Sequence, residues 1–251
     1  MLLISTSSLK WYWLHKIFKL ISKSTLDWIN LDIVAWEFDT EDALYIKSLS
    51  EEFNVPVVSV SAYEKKMDAK LVDALIDFCR IIWAKMINFY PPHRADKDTT
   101  WFSDYLAKAQ IKTPDILLSV MNVEPKTFLF FIPEYKDATL ETIKKITKNT
   151  SLAISNVDIT TWVDLLKTFN LLWNTIRNVF LSDKSWAKSE LMLGKWDMPL
   201  RDLLWKLKEN SYNWLFTLKI APKDLLVGSP DEIVLWKIED AQKYFNKYYV
   251  V

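Results

Sequence analysis

Short β-rich runs alternate with amphipathic helical stretches from end to end, which restricts the chain to folds with parallel strands joined by helical crossovers. The strand candidates are LLIST (2–6), INLDI (29–33), PVVSVS (56–61), KMINFY (85–90), DILLSVM (115–121), SLAIS (151–155), IRNVFLS (176–182) and LFTLKI (215–220). Helical spacing of apolar residues is clearest in DTEDALYIKSLSEEF, MDAKLVDALIDFCRII, DATLETIKKIT, MPLRDLLWKLKEN and PDEIVLWKIEDAQKYFNKYY. These segments open with acidic or Asp/Thr-containing turns that satisfy free N–H groups.

Eight such pairs in 251 residues predict an α/β fold, a single (β/α)8 TIM barrel forming one domain over 1–251. No Ser/Gly linker, charge block or low-complexity tract interrupts the alternation. A doubly wound open sheet would normally place a Gly-rich phosphate turn after its first strand, and STSSLKWYWL offers none.

Alternation along each strand separates two faces. One carries Asn30, Asp32, Ser59, Ser61, Asn88, Tyr90, Asn178, Ser182, Thr217 and Lys219. The other carries Ile29, Leu31, Val58, Val60, Ile87, Phe89, Val179, Leu181, Leu218 and Ile220. The apolar face suits packing against helices, so the polar set is expected inside the barrel. Active sites of such barrels lie at the C-terminal strand ends, where the last residues of this polar set fall.

Composition matters in one respect: the chain has 13 Trp and 2 Gly, against about 18 Gly expected from ordinary usage. Trp28, Trp83, Trp173 and Trp214 each fall between a helix and the next strand, where a left-handed glycine belongs. One cause would explain the repetition, a gene whose UGA codons encode glycine, translated with a code that reads UGA as tryptophan; the alternative is a Trp-rich protein that uses indoles as core or ligand platforms. Trp101, in DTTWFSDYL, is the exception expected to be genuine.

Lys plus Arg balance Asp plus Glu at 32 each, so no overall field draws nucleic acid, and no apolar run reaches the ~18 residues of a membrane span. With no basic segment ahead of a long apolar run at the start, a cytoplasmic protein is expected. Cys79 is the single cysteine, which excludes an intrachain disulfide, and its helical context reads as inert packing. No Ser/His/Asp set, CxxC pair, Walker loop or HExxH helix occurs, and no cofactor is expected.

The segments LDWINLDI, WAKMINFYPPHRADKDTTWF, FIPEYKDATLETIKKIT, IRNVFLSDKS and LGKWDMPLRDLLWKLKENSYNWLFTLKI together resemble the sugar phosphate isomerase/epimerase family of xylose isomerase-like TIM barrels. Several anomalous tryptophans, among them Trp28, Trp83, Trp196 and Trp214, fall where those barrels carry glycine. The resemblance implies a divalent metal held by Glu, Asp, His and Glu near the ends of strands five to eight. The matching places here hold Met121, Ala153 with Asn156, Phe180 and Lys219, and the histidine positions of strands three and four hold Ser61 and Tyr90. A metal site is therefore not expected.

Lys219 places an ammonium where a carboxylate would have bound the cation, and Asp183 or Glu124 on neighbouring loops are its expected partners. Lys219, Asp183 and Glu124 are the catalytic candidates. Asn88, Tyr90, His93, Arg94, Asn122, Asn156 and Lys184 are the candidates for binding a small sugar or sugar phosphate. Arg94, with His93 and Lys97 in PPHRADKD, suits a phosphate, as do Lys184, Lys188 and Lys195 after strand seven. Glu134, in IPEY, is an acid/base candidate by location. Two other readings stay open: a non-catalytic barrel binding a ligand or protein, and a metal-independent lyase acting through a lysine Schiff base.

Overall fold

The computed structural model describes residues 1–250 apart from 27, 36, 65–66, 95, 97–99, 126, 129–131, 137, 158–163 and 197. Eight parallel strands close into a barrel: β1 (Leu2–Ser5), β2 (Ile29–Asp32), β3 (Val57–Ser61), β4 (Met86–Phe89), β5 (Leu117–Met121), β8 (Thr150–Ala153), β9 (Ile176–Leu181) and β10 (Leu215–Leu218). Strand β1 pairs with both β2 and β10, so the first and last units seal the ring. Seven of the eight strands lie within the segments expected for them, and β8 begins one residue early, at Thr150. Between β5 and β8 the chain inserts an antiparallel pair, β6 (Thr127–Phe128) and β7 (Ile132–Pro133), which the alternation did not foretell.

The described helices are α1 (Leu14–Ile21), α2 (Phe38–Glu41), α3 (Ala43–Phe53), α4 (Ala69–Ile82), α5 (Trp101–Lys112), α6 (Leu140–Ile146), α7 (Asp164–Leu172), α8 (Leu200–Glu209) and α9 (Asp231–Phe245). Capping explains several starts. Asp42 accepts from the N–H groups of Leu44 and Tyr45, Asp68 from Leu71 and Thr139 from Thr142. The segment expected as one helix over 39–53 breaks at Asp42, whose extended backbone (φ −87°, ψ 97°) ends α2 and caps α3. Among the described residues no helix is long and apolar enough to cross a membrane.

The two strand faces separate as alternation predicts. Leu31, Val60, Ile87, Val179 and Leu218 are buried in the large apolar core that the helices cover. Inside the barrel, Asn30 and Asn88 are the nodes of a polar layer. Asn30 Oδ1 accepts from Ser59 at 2.7 Å and from Asn88 Nδ2 at 3.3 Å, and Asn88 Oδ1 accepts from Ser119 and Ser151 at 3.1 and 2.7 Å. Opposite them, Thr217 donates to Asn178 at 3.1 Å. Buried amides and hydroxyls are stable only when paired, and this layer meets that condition almost throughout.

The glycine deficit is felt at one of the four turns singled out above. Trp83 caps α4 in the left-handed region (φ 61°) with its ring exposed. Trp28, Trp173 and Trp214 keep ordinary negative φ, contrary to expectation. The reason is local: Ser211 supplies the left-handed residue after α8, and after α7 the chain leaves through a 3-10 turn over Trp173–Thr175. Gly194 is a glycine by necessity. Its φ is 72°, and a Cβ there would sit 2.2 Å from Cε2 of Tyr244.

Candidate functional site

A cavity of about 750 Å³ opens at the C-terminal ends of β1, β2, β3, β4 and β10. Its floor is built by residues that close those strands. Asp32, at the end of β2, is 9 % exposed. Its Oδ2 accepts from the Ser5 hydroxyl at 2.5 Å, the Ser7 N–H at 3.2 Å, Asn30 Nδ2 at 3.3 Å and Thr6 Oγ1 at 3.4 Å. No described residue donates to its other oxygen, Oδ1.

Lys219 and Tyr90 complete the floor. Lys219 follows β10 directly, and its Nζ lies 3.6 Å from the Glu190 carboxylate and 5.9 Å from the centre of the Phe180 ring. Burial works to lower its pKa, but Tyr90, Asp32 and Glu190 outweigh that and hold the ammonium above the ordinary lysine value. Burial pushes the Tyr90 phenol up, against the opposing pull of Lys219. Tyr90 is thus a neutral hydrogen-bonding group at neutral pH, where Lys219 carries its charge beside Asp32 and Glu190.

The rim comes from the loops and helices after β2 and β3. Glu41, Glu64 and Asp68 lie there with Tyr63, and Phe38, Leu71, Ile33 and Val34 supply carbon surface. The Tyr63 phenol is raised by burial and by its hydrogen bond to Glu41. Tyr135 donates to Glu64 at 2.5 Å, which ties the β6–β7 insertion to this edge of the mouth.

Of the residues nominated from sequence, Lys219 and Tyr90 line this cavity and the others do different work. Asn88 lies below it, saturated by the polar layer. Asn122 clamps the end of β8, its Nδ2 donating to the Ala153 carbonyl and its Oδ1 accepting from the Ala153 N–H. Asn156 donates to the Asn122 carbonyl at 2.9 Å. His93 Nε2 lies 3.1 Å from Glu134, and Arg94 Nε donates to the Pro133 carbonyl at 3.0 Å, so both bind the insertion. Lys97 lies outside the described residues.

The loop after β9 also departs from expectation. Asp183, 1 % exposed, accepts from the N–H groups of Lys184 and Trp196, both at 2.9 Å. Burial raises its pKa, and the backbone donors of Trp196, Lys184, Met198 and Lys195 pull the other way. Its work is to fold the loop. Lys184 Nζ reaches the Val157 carbonyl at 3.0 Å and Glu124 at 3.3 Å. Neither Asp183 nor Glu124 is the ion-pair partner of Lys219; Glu190 is, because the loop folded on Asp183 carries it back over the strand ends.

Where the resemblance implied metal ligands, Met121, Ala153 and Phe180 pack together as a small apolar cluster inside the barrel, with Tyr90 against it. Among the described residues no three His, Cys, Asp or Glu side chains gather around a common point.

No sequence-family profile matches the chain, and no characterised protein matches it in sequence. Solved structures do match over nearly the whole length. The IolI protein with a bound zinc atom superposes with a TM-score of 0.69 at 15% identity, covering 100% of this chain and 99% of that one. A xylose isomerase domain protein from Salmonella typhimurium gives 0.68 at 11% identity over 97% and 96% of the two chains. The fold is that of the xylose isomerase-like barrels. The 3-keto-D-glucoside 4-epimerase YcjR of E. coli has it too, with a TM-score of 0.67 at 10% identity over 96% of this chain and 98% of its own.

In this xylose isomerase-like barrel the sequence reading passed over two residues of the site. Asp32 carried a usable signal, a carboxylate on the polar face at a strand's C-terminal end. Glu190 carried none, since it sits on a loop at φ 57° and reaches Lys219 only through the loop's folded path.

Proposed function

We propose that this barrel binds a small polyhydroxylated, sugar-like molecule in the cavity above the strand ends, and that its chemistry, where it turns a ligand over, is isomerase- or epimerase-like. One observation carries the reading: a charged, half-enclosed Lys219 opens, with Tyr90 and Asp32, into a cavity large enough for a sugar. Carbon surface from Phe38, Leu71 and Val34 suits the faces of a sugar ring, and the floor supplies donors and acceptors for hydroxyls. The neighbouring structures, which include sugar epimerases and isomerase-like proteins, support the same ligand class.

Isomerisation next to a carbonyl develops negative charge on oxygen, and the Lys219 ammonium is placed to stabilise it. Asp32 and Tyr90 are the groups on the floor able to accept or donate a proton. A divalent cation does not fit the site: the soft thioether of Met121, the methyl of Ala153 beside an Asn156 amide engaged with the Asn122 carbonyl, and the ring of Phe180 hold three of the ligand places, and a cation holds the fourth. Schiff-base chemistry is disfavoured by the same charge on Lys219, since the nucleophile is the neutral amine. The cytoplasm is the expected setting, with a free, buried Cys79 consistent with it.

Isothermal titration with neutral hexoses and pentoses tests the proposal. Saturable binding that Lys219→Met weakens at least tenfold supports it. Binding unaffected by that change, or no binding by these or any amino- or phospho-substituted sugars, overturns it.

The excess of tryptophan is proposed to reflect UGA codons that encode glycine in the native host. The support is Trp83 in a left-handed cap together with indoles as exposed as Trp13 (82 %) and Trp186 (78 %). None of the described residues lining the cavity is a tryptophan.

A further inference from the structure

The charge of the cavity lining narrows the ligand. The described lining residues include four carboxylates, those of Asp32, Glu41, Glu64 and Asp68, and one cation, Lys219, which Glu190 already engages. Of the cations that the sequence offered for a phosphate, Lys184 is committed to Glu124 and Val157 and Arg94 to Pro133; neither they nor Lys188 and Lys195 are among the described residues lining the cavity, and Lys97 lies outside the described residues. Among the described lining residues, a phosphate would meet mainly charges of its own sign.

We propose that the ligand of this site is a polyhydroxylated molecule carrying a protonated amine, such as an amino sugar or amino polyol, and that phosphorylated sugars are excluded. This rests on the sugar-binding reading above and names its ligand class. Two further features support it. Asp32 is nine-tenths buried on the floor, with every donor directed at Oδ2 and Oδ1 left without one. Aromatic faces, Phe38 and Tyr63 at the rim and Tyr90 on the floor, stand among the carboxylates, a combination that recognises ammonium through ion pairing and cation–π attraction. The carboxylates at the rim are exposed, so each contributes modestly and the selectivity comes from their sum.

The test is calorimetric titration of the full chain with three matched sets in the gluco, galacto and manno series: the hexose, the 2-amino-2-deoxyhexose and the hexose 6-phosphate. The expected result is an amino sugar binding at least about fivefold tighter than its parent hexose. The 6-phosphates should bind weakest. Raising the pH through the amine's own pKa should erase the preference, and Glu41→Gln with Glu64→Gln should shrink the amino-to-parent ratio toward one. Parent hexoses or 6-phosphates binding as tightly as the amino sugars overturns the inference and leaves the sugar-binding reading standing. Absence of binding in all three sets overturns both.

Discussion

Lys219 and Glu190 form an ion pair at 3.6 Å between the end of the last barrel strand and a loop residue in left-handed backbone conformation. Lys219 lines the cavity, and its side chain is 15 % exposed against 33 % for Glu190. A cation so placed is both a structural element and part of the cavity floor.

Replacing Lys219 by Met leaves Glu190 and Asp32 without their counter-charge. Because Glu190 is partly solvated, the loss of stability should be moderate, about 1 to 2 kcal/mol. Urea denaturation measures it. An unchanged midpoint would mean that the pair is ornamental.

The pH dependence follows from the direction of the shift. Lys219 is held above its ordinary value in the folded protein, so its contribution is fully present below the unfolded lysine pKa of about 10.4 and is lost as pH rises through the folded value. Titration of Lys219 should therefore leave stability and ligand binding unchanged around neutral pH and lower them only in strong alkali. Borohydride treatment with aldehyde or ketose substrates at pH 7 should trap no adduct; an adduct abolished by Lys219→Ala would overturn the assignment of a charged amine.

Asp183 is expected to behave as a structural residue. Asp183→Asn sets an amide N–H against one of the backbone donors now satisfied by Oδ1 and Oδ2, at a cost of about 1 to 3 kcal/mol. Thermal unfolding should shift down and the loop around Lys195 should become more sensitive to trypsin. Wild-type stability in this variant would return Asp183 to the list of catalytic candidates.

Two left-handed positions give opposite predictions. Trp83→Gly removes an unfavourable backbone state worth about 1 kcal/mol and loses a half-exposed Lys47 contact over the indole ring, for a small net gain in stability. Gly194→Ala should destabilise, since it adds both the left-handed penalty and a clash with Tyr244. Melting temperatures of the two variants check the pair. Peptide mass spectrometry of protein from its native host checks the recoding: glycine at position 83 supports it and tryptophan there ends it.

The barrel was legible because its cause is local. Strand alternation put Asn30, Ser59 and Asn88 on one face, and the structure joins those three inside the barrel. The same alternation placed Tyr90 and Lys219, which directly follow β4 and β10, at the strand ends where the cavity opens. The loop residues were not legible. Asp183 looked like a catalytic carboxylate because nothing in its neighbourhood reveals that the N–H groups of Lys184 and Trp196 converge on it. The engagement of His93 and Arg94 with Glu134 and Pro133 likewise depends on the β6–β7 insertion, about forty residues away in sequence and too short in its strands to give a periodic signal.

The most direct measurement is a crystal structure of the protein with the tightest ligand from the hexose and amino-hexose sets. The account predicts the sugar in the cavity at the C-terminal strand ends, with an oxygen within hydrogen-bond distance of Lys219 Nζ and its ring against Phe38 or Tyr63. A ligand seated elsewhere on the molecule, or one in the cavity that leaves Lys219 untouched, would contradict it.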